Sequence, residues 1–491
     1  MTGSDWYNLR MARYQKIYFM GIKGVGMATL AVISKQAGFL VSGSDVEEKF
    51  ITDKILDEAG IDVRIGFKKE NPEDFFNSSP KDECLFIATA AHEGFNNEEV
   101  VWAKDNGIKI ISHGEAVGLF MDGDVFDRKF EGISIAGAHG KTTIAGMIAS
   151  CLTKLGSDPS FTVGTSEIFP TGPAGHFGSG KYFIAEADEY FSEPNFDKRP
   201  KFLYQKPKYL IINNIDFDHP DVYPNLESVV TAYREFIENV SQDGLLIVNG
   251  DDEKIKKLIA NSQQLKAIKY GTDAGNEFVI KNFREEGLSS RFEVLRNGTS
   301  LGNFELSIPG YHNAKNSLAV IALLCELGIS INEIQKVLPE FKGAKRRLEK
   351  IGETGEGVLI FDDYAHHPEE IRKSIEALKS AYPDKKITLV FQAHTYSRTK
   401  ALFKDFVGSF GGVFELIILP TFASARDAAT HTVSEDEDFV ESIRLIQPRV
   451  VLIKDLPSVV EYIQKNVQGP DRVVVTMGAG DVYKVAEQLT N

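Results

Sequence analysis

Residues 133–150 read ISIAGAHGKTTIAGMIAS: an apolar run of strand character, a turn in which Gly137 and Gly140 enclose Ala138 and His139, and a helical stretch opened by Lys141, Thr142 and Thr143. A strand that passes through a tight glycine turn into a helix is the first half of a βαβ unit. Such units build parallel sheets covered by helices. The same alternation of short β-rich runs and helical patterns continues along most of the 491 residues. The chain is therefore expected to be an α/β protein with largely parallel sheets, and its length suggests about three domains.

In a glycine turn that opens a helix, backbone N–H groups converge into an anion site. Gly137, Ala138, His139 and Gly140 would cradle phosphates, Lys141 would reach the terminal ones, and the Thr142 hydroxyl could ligate Mg²⁺. The usual phosphate loop has four residues between its glycines and this one has two. The competing reading is a plain strand–helix turn with an incidental lysine. Two more strand ends in the same unit carry acids. FIAEADE ends in Glu186, Asp188 and Glu189, and strict alternation would put Glu186 and Asp188 on one face. IINNIDFDHPD ends in Asp216, Asp218, His219 and Asp221. Hard oxygen ligands after a phosphate loop favour a Mg·ATP site over zinc.

The remaining motifs are weaker one by one. Gly21-Ile-Lys-Gly24-Val-Gly26 follows a first strand, and Asp45 ends the next. The order is G-x-x-G-x-G rather than the dinucleotide G-x-G-x-x-G, so it supports some diphosphate ligand, with NAD and an oxidoreductase as one alternative. His312 and Asn316 share a helix face and could read an adenine edge or cap the helix. Arg346 and Arg347 could reach phosphates across a cleft or form a solvated turn. DDYAHHPEE (residues 362–370) and FQAHTYSRT (residues 391–399) place Asp363, Tyr364, His366, His394 and Arg398 at two further strand ends, where an arginine fork could hold a carboxylate.

The formal net charge of −15 argues against a non-specific nucleic-acid binder. No apolar run is long enough to span a bilayer, and the N-terminal residues lack the pattern of a signal peptide. Cys84, Cys151 and Cys325 fit neither a disulfide framework nor a zinc pattern. A cytoplasmic protein without membrane or nucleic-acid partners is expected, with monomer and homodimer both open.

GIKGVGM, SGSD, AGAHGKTT, EADE, NNIDFDH, HNAKNS, RRLE, DDYAHHP, FQAHTYSRT and MGAGD occur in one order from about residue 16 to the end. In that order the chain resembles the Mur ligases, ATP-dependent amide-forming enzymes of peptidoglycan precursor synthesis, whose usual phosphate loop has this shortened form. The resemblance implies three domains: an N-terminal Rossmann-like domain for a UDP-sugar (residues 1–128), a central P-loop ATPase-like α/β domain with a small antiparallel sheet (129–344), and a C-terminal Rossmann-like domain for the amino acid (345–491). It implies an acyl phosphate made at the expense of ATP and Mg²⁺. Lys141, Glu186 and His219 would be catalytic, with Thr142, Glu186 and His219 at the metal. His312, Asn316, Arg347 and Asp363 would join residues 137–143 around ATP. Gly24, Gly26, Ser44, Asp45 and Thr89 would lie by the UDP-sugar, and Tyr364, His366, His394 and Arg398 by the amino acid. The terminal motifs look most like members that join L-alanine to UDP-N-acetylmuramate. The central EYFSEPNFDKRPKF looks closer to members that attach the tripeptide L-alanyl-γ-D-glutamyl-meso-diaminopimelate. L-alanine is the expected acceptor, and a non-catalytic nucleotide-binding module is the remaining outsider.

Overall fold

The computed structural model describes residues 14–219, 222–260, 265–422 and 433–490. Asp221 lies outside the described residues. Five parallel strands form the first sheet, in the spatial order Asp62–Ile65, Leu40–Asp45, Lys16–Met20, Cys84–Ala88 and Lys109–Ser112. Cys84–Ala88 is buried at every position, as an apolar run must be when helices cover both faces of its sheet. The strand order reverses between Lys16–Met20 and Cys84–Ala88. In open sheets of this kind ligands bind at that switch point, outside the carboxyl ends of the strands. The Gly21 turn leaves one of these strands and Thr89 leaves the other.

The central sheet has ten strands. Its parallel part runs Lys266–Gly271, Leu245–Asn249, Tyr209–Ile212, Glu131–Ala136, Tyr182–Glu186 and Ser160–Ile168. The antiparallel strands Phe278–Glu286, Ser289–Arg296 and Thr299–Leu306 extend this same sheet, because Tyr270 and Gly271 pair in parallel with Phe278 and Val279. They are thus an extension of the main sheet, where the sequence suggested a small sheet of their own. Helices Lys141–Lys154 and Tyr311–Glu326 are apolar on nearly every face. They pack together over the sheet in one core with Ile133, Ile135 and Ile184.

The third sheet has six strands. Glu349–Glu353 is antiparallel to Leu359–Asp363, and Arg472–Met477, Lys386–His394, Glu415–Phe422 and Val450–Leu452 follow in parallel. The first and second sheets are joined by packing as well as by chain. Helix Val25–Gln36 lies against the strands Ser160–Ile168 and Gly172–His176 of the central sheet. The Thr29 and Thr162 hydroxyls are hydrogen-bonded at 2.7 Å, and Phe177 N donates to Gln36 Oε1 at 2.8 Å. A two-stranded strap, Phe191–Glu193 with Asp197–Pro200, crosses between the same two sheets. Its Ser192 hydroxyl is 2.5 Å from that of Ser112, and Phe196 packs on Phe95 at 6.0 Å between ring centroids.

Candidate active site

The phosphate loop is built by its neighbours. Gly140 takes φ +86°, and a Cβ there would come within 2.7 Å of Asn213 Nδ2 and 3.0 Å of Asn316 Oδ1, so only glycine fits. Asn213 and Asn214, at the end of the adjacent strand, brace the turn from behind. Asn214 Oδ1 accepts from His139 N at 2.9 Å, and both side-chain amides donate to the His139 carbonyl at 2.9 Å. Asn213 is itself fixed by Tyr270, whose hydroxyl donates to its Oδ1 at 2.6 Å. Lys141 Nζ folds back onto the carbonyls of Gly137 and Ala138. Burial works against its charge, but Glu189, Glu186, Asp188 and Asp218 outweigh burial and hold its pKa above the ordinary lysine value. The ammonium that the loop needs is therefore charged throughout the neutral range.

The acidic strand end is arranged differently from the alternation expected. The strand stops at Glu186, so the period of two does not carry on to Asp188 and Glu189. Thr142 Oγ1 donates to Glu186 Oε2 at 3.1 Å, and Gly164 N donates to Glu186 Oε1 at 2.5 Å. Asp188 turns to Lys201, whose Nζ lies 2.7 Å from Oδ2; burial opposes its charge, but Lys201 prevails and holds its carboxyl well below the usual range. Glu189 is the residue that joins Lys141 and His219. Its Oε2 lies 3.5 Å from Lys141 Nζ and 3.7 Å from His219 Nε2, and accepts no hydrogen bond although buried. Tyr233 donates to its other oxygen at 2.7 Å. His219 thus faces Glu189 rather than Glu186.

The third sheet delivers its side chains into this cluster. Adjacent arginines do opposite things. Arg346 is buried within its own domain, bonded to Asp362 at 2.8 Å and to the carbonyls of Gly478 at 2.6 Å and Gly480 at 3.1 Å. Arg347 crosses to the phosphate loop and donates to Thr142 Oγ1 at 3.0 Å. Left-handed backbone at Arg346 and Leu348 (φ +60° and +48°) separates the two directions. Arg398, also buried, lies 3.5 Å from Asp218 Oδ1 and 3.2 Å from His219 Nδ1. The resemblance implied Arg398 by the amino acid; its guanidinium lies against Asp218, His219 and the Tyr190 hydroxyl. Tyr364 packs under Arg347 at 5.0 Å, His366 sits edge-on to Tyr364 at 5.2 Å, and His394 is stacked on Phe422 at 5.8 Å. Burial, with Arg398 nearby, pushes His366 down to about 3, so it is uncharged at neutral pH.

A cleft runs from the loop between the second and third sheets. His312 and Asn316 line one wall, Arg347 and Asp363 the other, with Gly140, Thr142 and Thr143 at its floor. Burial lowers His312 to about 4 and raises Asp363 to about 6. Asp216 lines the adjoining hollow.

In the first sheet, Lys23 N donates to Asp45 Oδ2 at 2.7 Å, tying the glycine turn to the second strand. Thr89 stands beside Gly21, and Gly26 beside His113, whose buried ring would be 2.4 Å from a Cβ at Gly26. Gly24, Gly26, Asp45 and Thr89 therefore share one sheet edge. Ser44 stands on the same edge, its carbonyl accepting from Gly21 N at 2.8 Å, while its fully buried hydroxyl donates to Glu99 Oε2 at 2.5 Å. Glu189, Asn213, Asn214 and Glu370 are site residues that no motif assigned. Glu189 was quoted in EADE, and Asn213 and Asn214 in IINN, so the segments were visible while the roles were not.

A Mur ligase middle-domain profile matches residues 135–324, a Mur ligase glutamate-ligase-domain profile 346–480, and a Mur ligase family catalytic-domain profile 16–124. A UDP-N-acetylmuramate–L-alanine ligase of Desulfitobacterium hafniense is 36% identical over 474 residues, covering 96% of this chain and 99% of that one. One from Clostridium kluyveri is 37% identical over 479 residues, covering 97% and 98%. Among solved structures, the UDP-N-acetylmuramate–alanine ligase of Thermotoga maritima superimposes with a TM-score of 0.77 at 24% identity, covering 96% and 98% of the two chains. A murein peptide ligase of Psychrobacter arcticus gives 0.71 at 22%, covering 97% and 98%. Among the described residues no helix is long and apolar enough to cross a membrane.

Proposed function

The chain belongs to the Mur ligase family, and from that premise we propose that it joins L-alanine to the carboxyl group of UDP-N-acetylmuramate at the expense of ATP. The observation that carries the reading is the meeting of the second and third sheets at one loop. Lys141 and Thr142 come from the second sheet, and Arg347 and Arg398 reach them and His219 from the third. The first sheet packs alongside the second through Thr29 and Thr162.

The sugar-nucleotide carboxylate attacks the γ-phosphorus, ADP leaves, and the acyl phosphate is taken by the amine of L-alanine with loss of phosphate. Charge accumulates on the moving phosphoryl group, and the site offers fixed compensation for it. The loop N–H groups, Lys141 and Arg347 supply that compensation. Thr142 and Glu186 form a hard-oxygen pair 3.1 Å apart, and Glu189 Oε2 is buried without a hydrogen-bond donor. Both features fit a divalent cation of the Mg²⁺ kind, which keeps only one or two protein ligands beside nucleotide phosphates. Bound Mg²⁺ would neutralise phosphate charge. His219 is held one step away by Glu189 and Arg398, and we assign it to orienting this cluster. His312 and Asn316 would take the adenine. Gly24, Gly26, Asp45 and Thr89 would take the UDP-sugar. An uncharged His366 leaves the amino-acid pocket free of repulsion toward an incoming ammonium, and Tyr364 and His394 would complete that pocket. We divide the chain at 128/129 and 344/345, and place the reaction in the cytoplasm, where both nucleotides are made.

The strap favours one competing acceptor, the tripeptide, by its resemblance in sequence. Its contacts with Phe95 and Ser112 belong to the sugar-nucleotide side, which leaves L-alanine as the acceptor we keep. Offering UDP-N-acetylmuramate with L-alanine or the tripeptide in parallel, and following ADP and product mass, tests this. Turnover with L-alanine is expected, and preference for the tripeptide would reassign the acceptor.

A further inference from the structure

Glu370 is given no role by any motif, although it lines the cleft. Yet both its carboxylate oxygens are used, one on each side of the cleft. Oε1 lies 3.1 Å from Nδ1 of His139, in the phosphate loop. Oε2 accepts from His366 N at 3.2 Å and lies 3.5 Å from His366 Nδ1. His139 also packs against His367 at 4.7 Å between ring centroids. The three groups come from three different places: the turn after a central strand, the first turn of helix Pro368–Ala381, and the irregular segment before that helix.

We propose that Glu370 is a positioning residue that fixes the phosphate loop through His139 and the amino-acid pocket through His366 with one shared carboxylate. The inference rests on the ligase reading for what the two sites hold. A carboxylate can do this because it has two acceptor oxygens, whereas a carboxamide has one. The contacts also agree in charge. Burial opposes the charge on His139, but the bond to Glu370 wins and raises it above the ordinary histidine value. A charge-assisted bond of this kind across a domain boundary is lost when the domains part, so the His139 side chain is tethered only while the amino-acid pocket stands over it, while Asn213 and Asn214 go on bracing the loop backbone.

The chemistry predicts a split between two variants. In Glu370→Gln, one oxygen can keep the His366 N–H, but the charged contact to His139 goes. KM for ATP should rise roughly tenfold while KM for L-alanine stays within about twofold. In Glu370→Ala both constants should rise. His139→Asn added to Glu370→Gln should cost less than a further twofold in kcat/KM for ATP, because the contact is already gone. An unchanged KM for ATP in Glu370→Gln would overturn the proposal, as would single effects that multiply independently in the double variant. Should Glu370→Ala fail to fold, the Gln and Asn cycle alone decides. A wild-type protein that released no ADP with L-alanine would instead count against the ligase reading.

Discussion

Asp363 offers a prediction whose size follows from its surroundings. It ends the strand Leu359–Asp363 and is 5% exposed. The Ser374 hydroxyl and Ala365 N–H donate to it. Burial dominates, with Ser374 and Arg347 opposing it, and the carboxyl is raised from 3.8 to about 6. The folded protein therefore binds this proton more tightly than the unfolded chain does. Its contribution to stability is full below about pH 4, shrinks as pH rises from 4 to 6, and is gone above that. The difference between about 6 and 3.8 amounts to about 3 kcal/mol, at roughly 1.4 kcal/mol per pH unit. Asp363→Asn keeps the shape and cannot ionise. Without nucleotide, its third-domain unfolding transition should match wild type at pH 4 and exceed it by up to about 3 kcal/mol at pH 7.5, a rise of several degrees in Tm. Thermal unfolding of both proteins across that pH range is the assay. Equal stability at pH 7.5, or a less stable variant, would refute the argument that burial governs this carboxyl.

Lys141→Ala should abolish ADP release while leaving circular dichroism unchanged, since no other ammonium among the described residues contacts the carbonyls of Gly137 and Ala138; substantial residual turnover would contradict its role. Asn213→Ala strips hydrogen bonds from the His139 carbonyl, Asn316 and the Tyr270 hydroxyl. Buried groups left unmatched cost about 1–3 kcal/mol each, so a loss of several kcal/mol and a markedly weaker ATP titration by calorimetry are expected. Arg398→Met leaves Asp218 and His219 without their cross-domain partner; kcat should fall about a hundredfold or more, measured by phosphate release, with the thermal transition of the first two domains unmoved.

How far the sequence could be read depended on what kind of signal each residue gave. Strands such as Cys84–Ala88 and Arg472–Met477 announce themselves because both faces are covered and the run is apolar throughout. The edge strands Asp62–Ile65 and Glu349–Glu353 are half exposed and polar, so neither has the apolar run that marks a buried strand, although RRLE and a unit boundary fell at the start of the second. The phosphate loop was legible because glycines and a lysine at that spacing have few other uses. Glu370 was not. In EE at the start of a helix it looks like one more acid favouring the helix N-terminus, and its partner His139 is 231 residues away. The expected shared face of Glu186 and Asp188 does not form, because alternation holds only while the strand lasts, and the strand ends at Glu186. Arg398 was foreseen as a site residue, and its contacts with Asp218 and His219 could not be read because they depend on the docking of one domain on another.

The arginine pair at the second boundary has a mechanical corollary. Arg346 is riveted into its own domain by a carboxylate and two carbonyls, and the chain twists left-handed on both sides of its neighbour. Arg347 therefore reaches Thr142 from a base fixed in the third domain. If that domain rotates away, Arg347 leaves Thr142 by the same stroke, so opening the cleft also withdraws one cation from the phosphate loop.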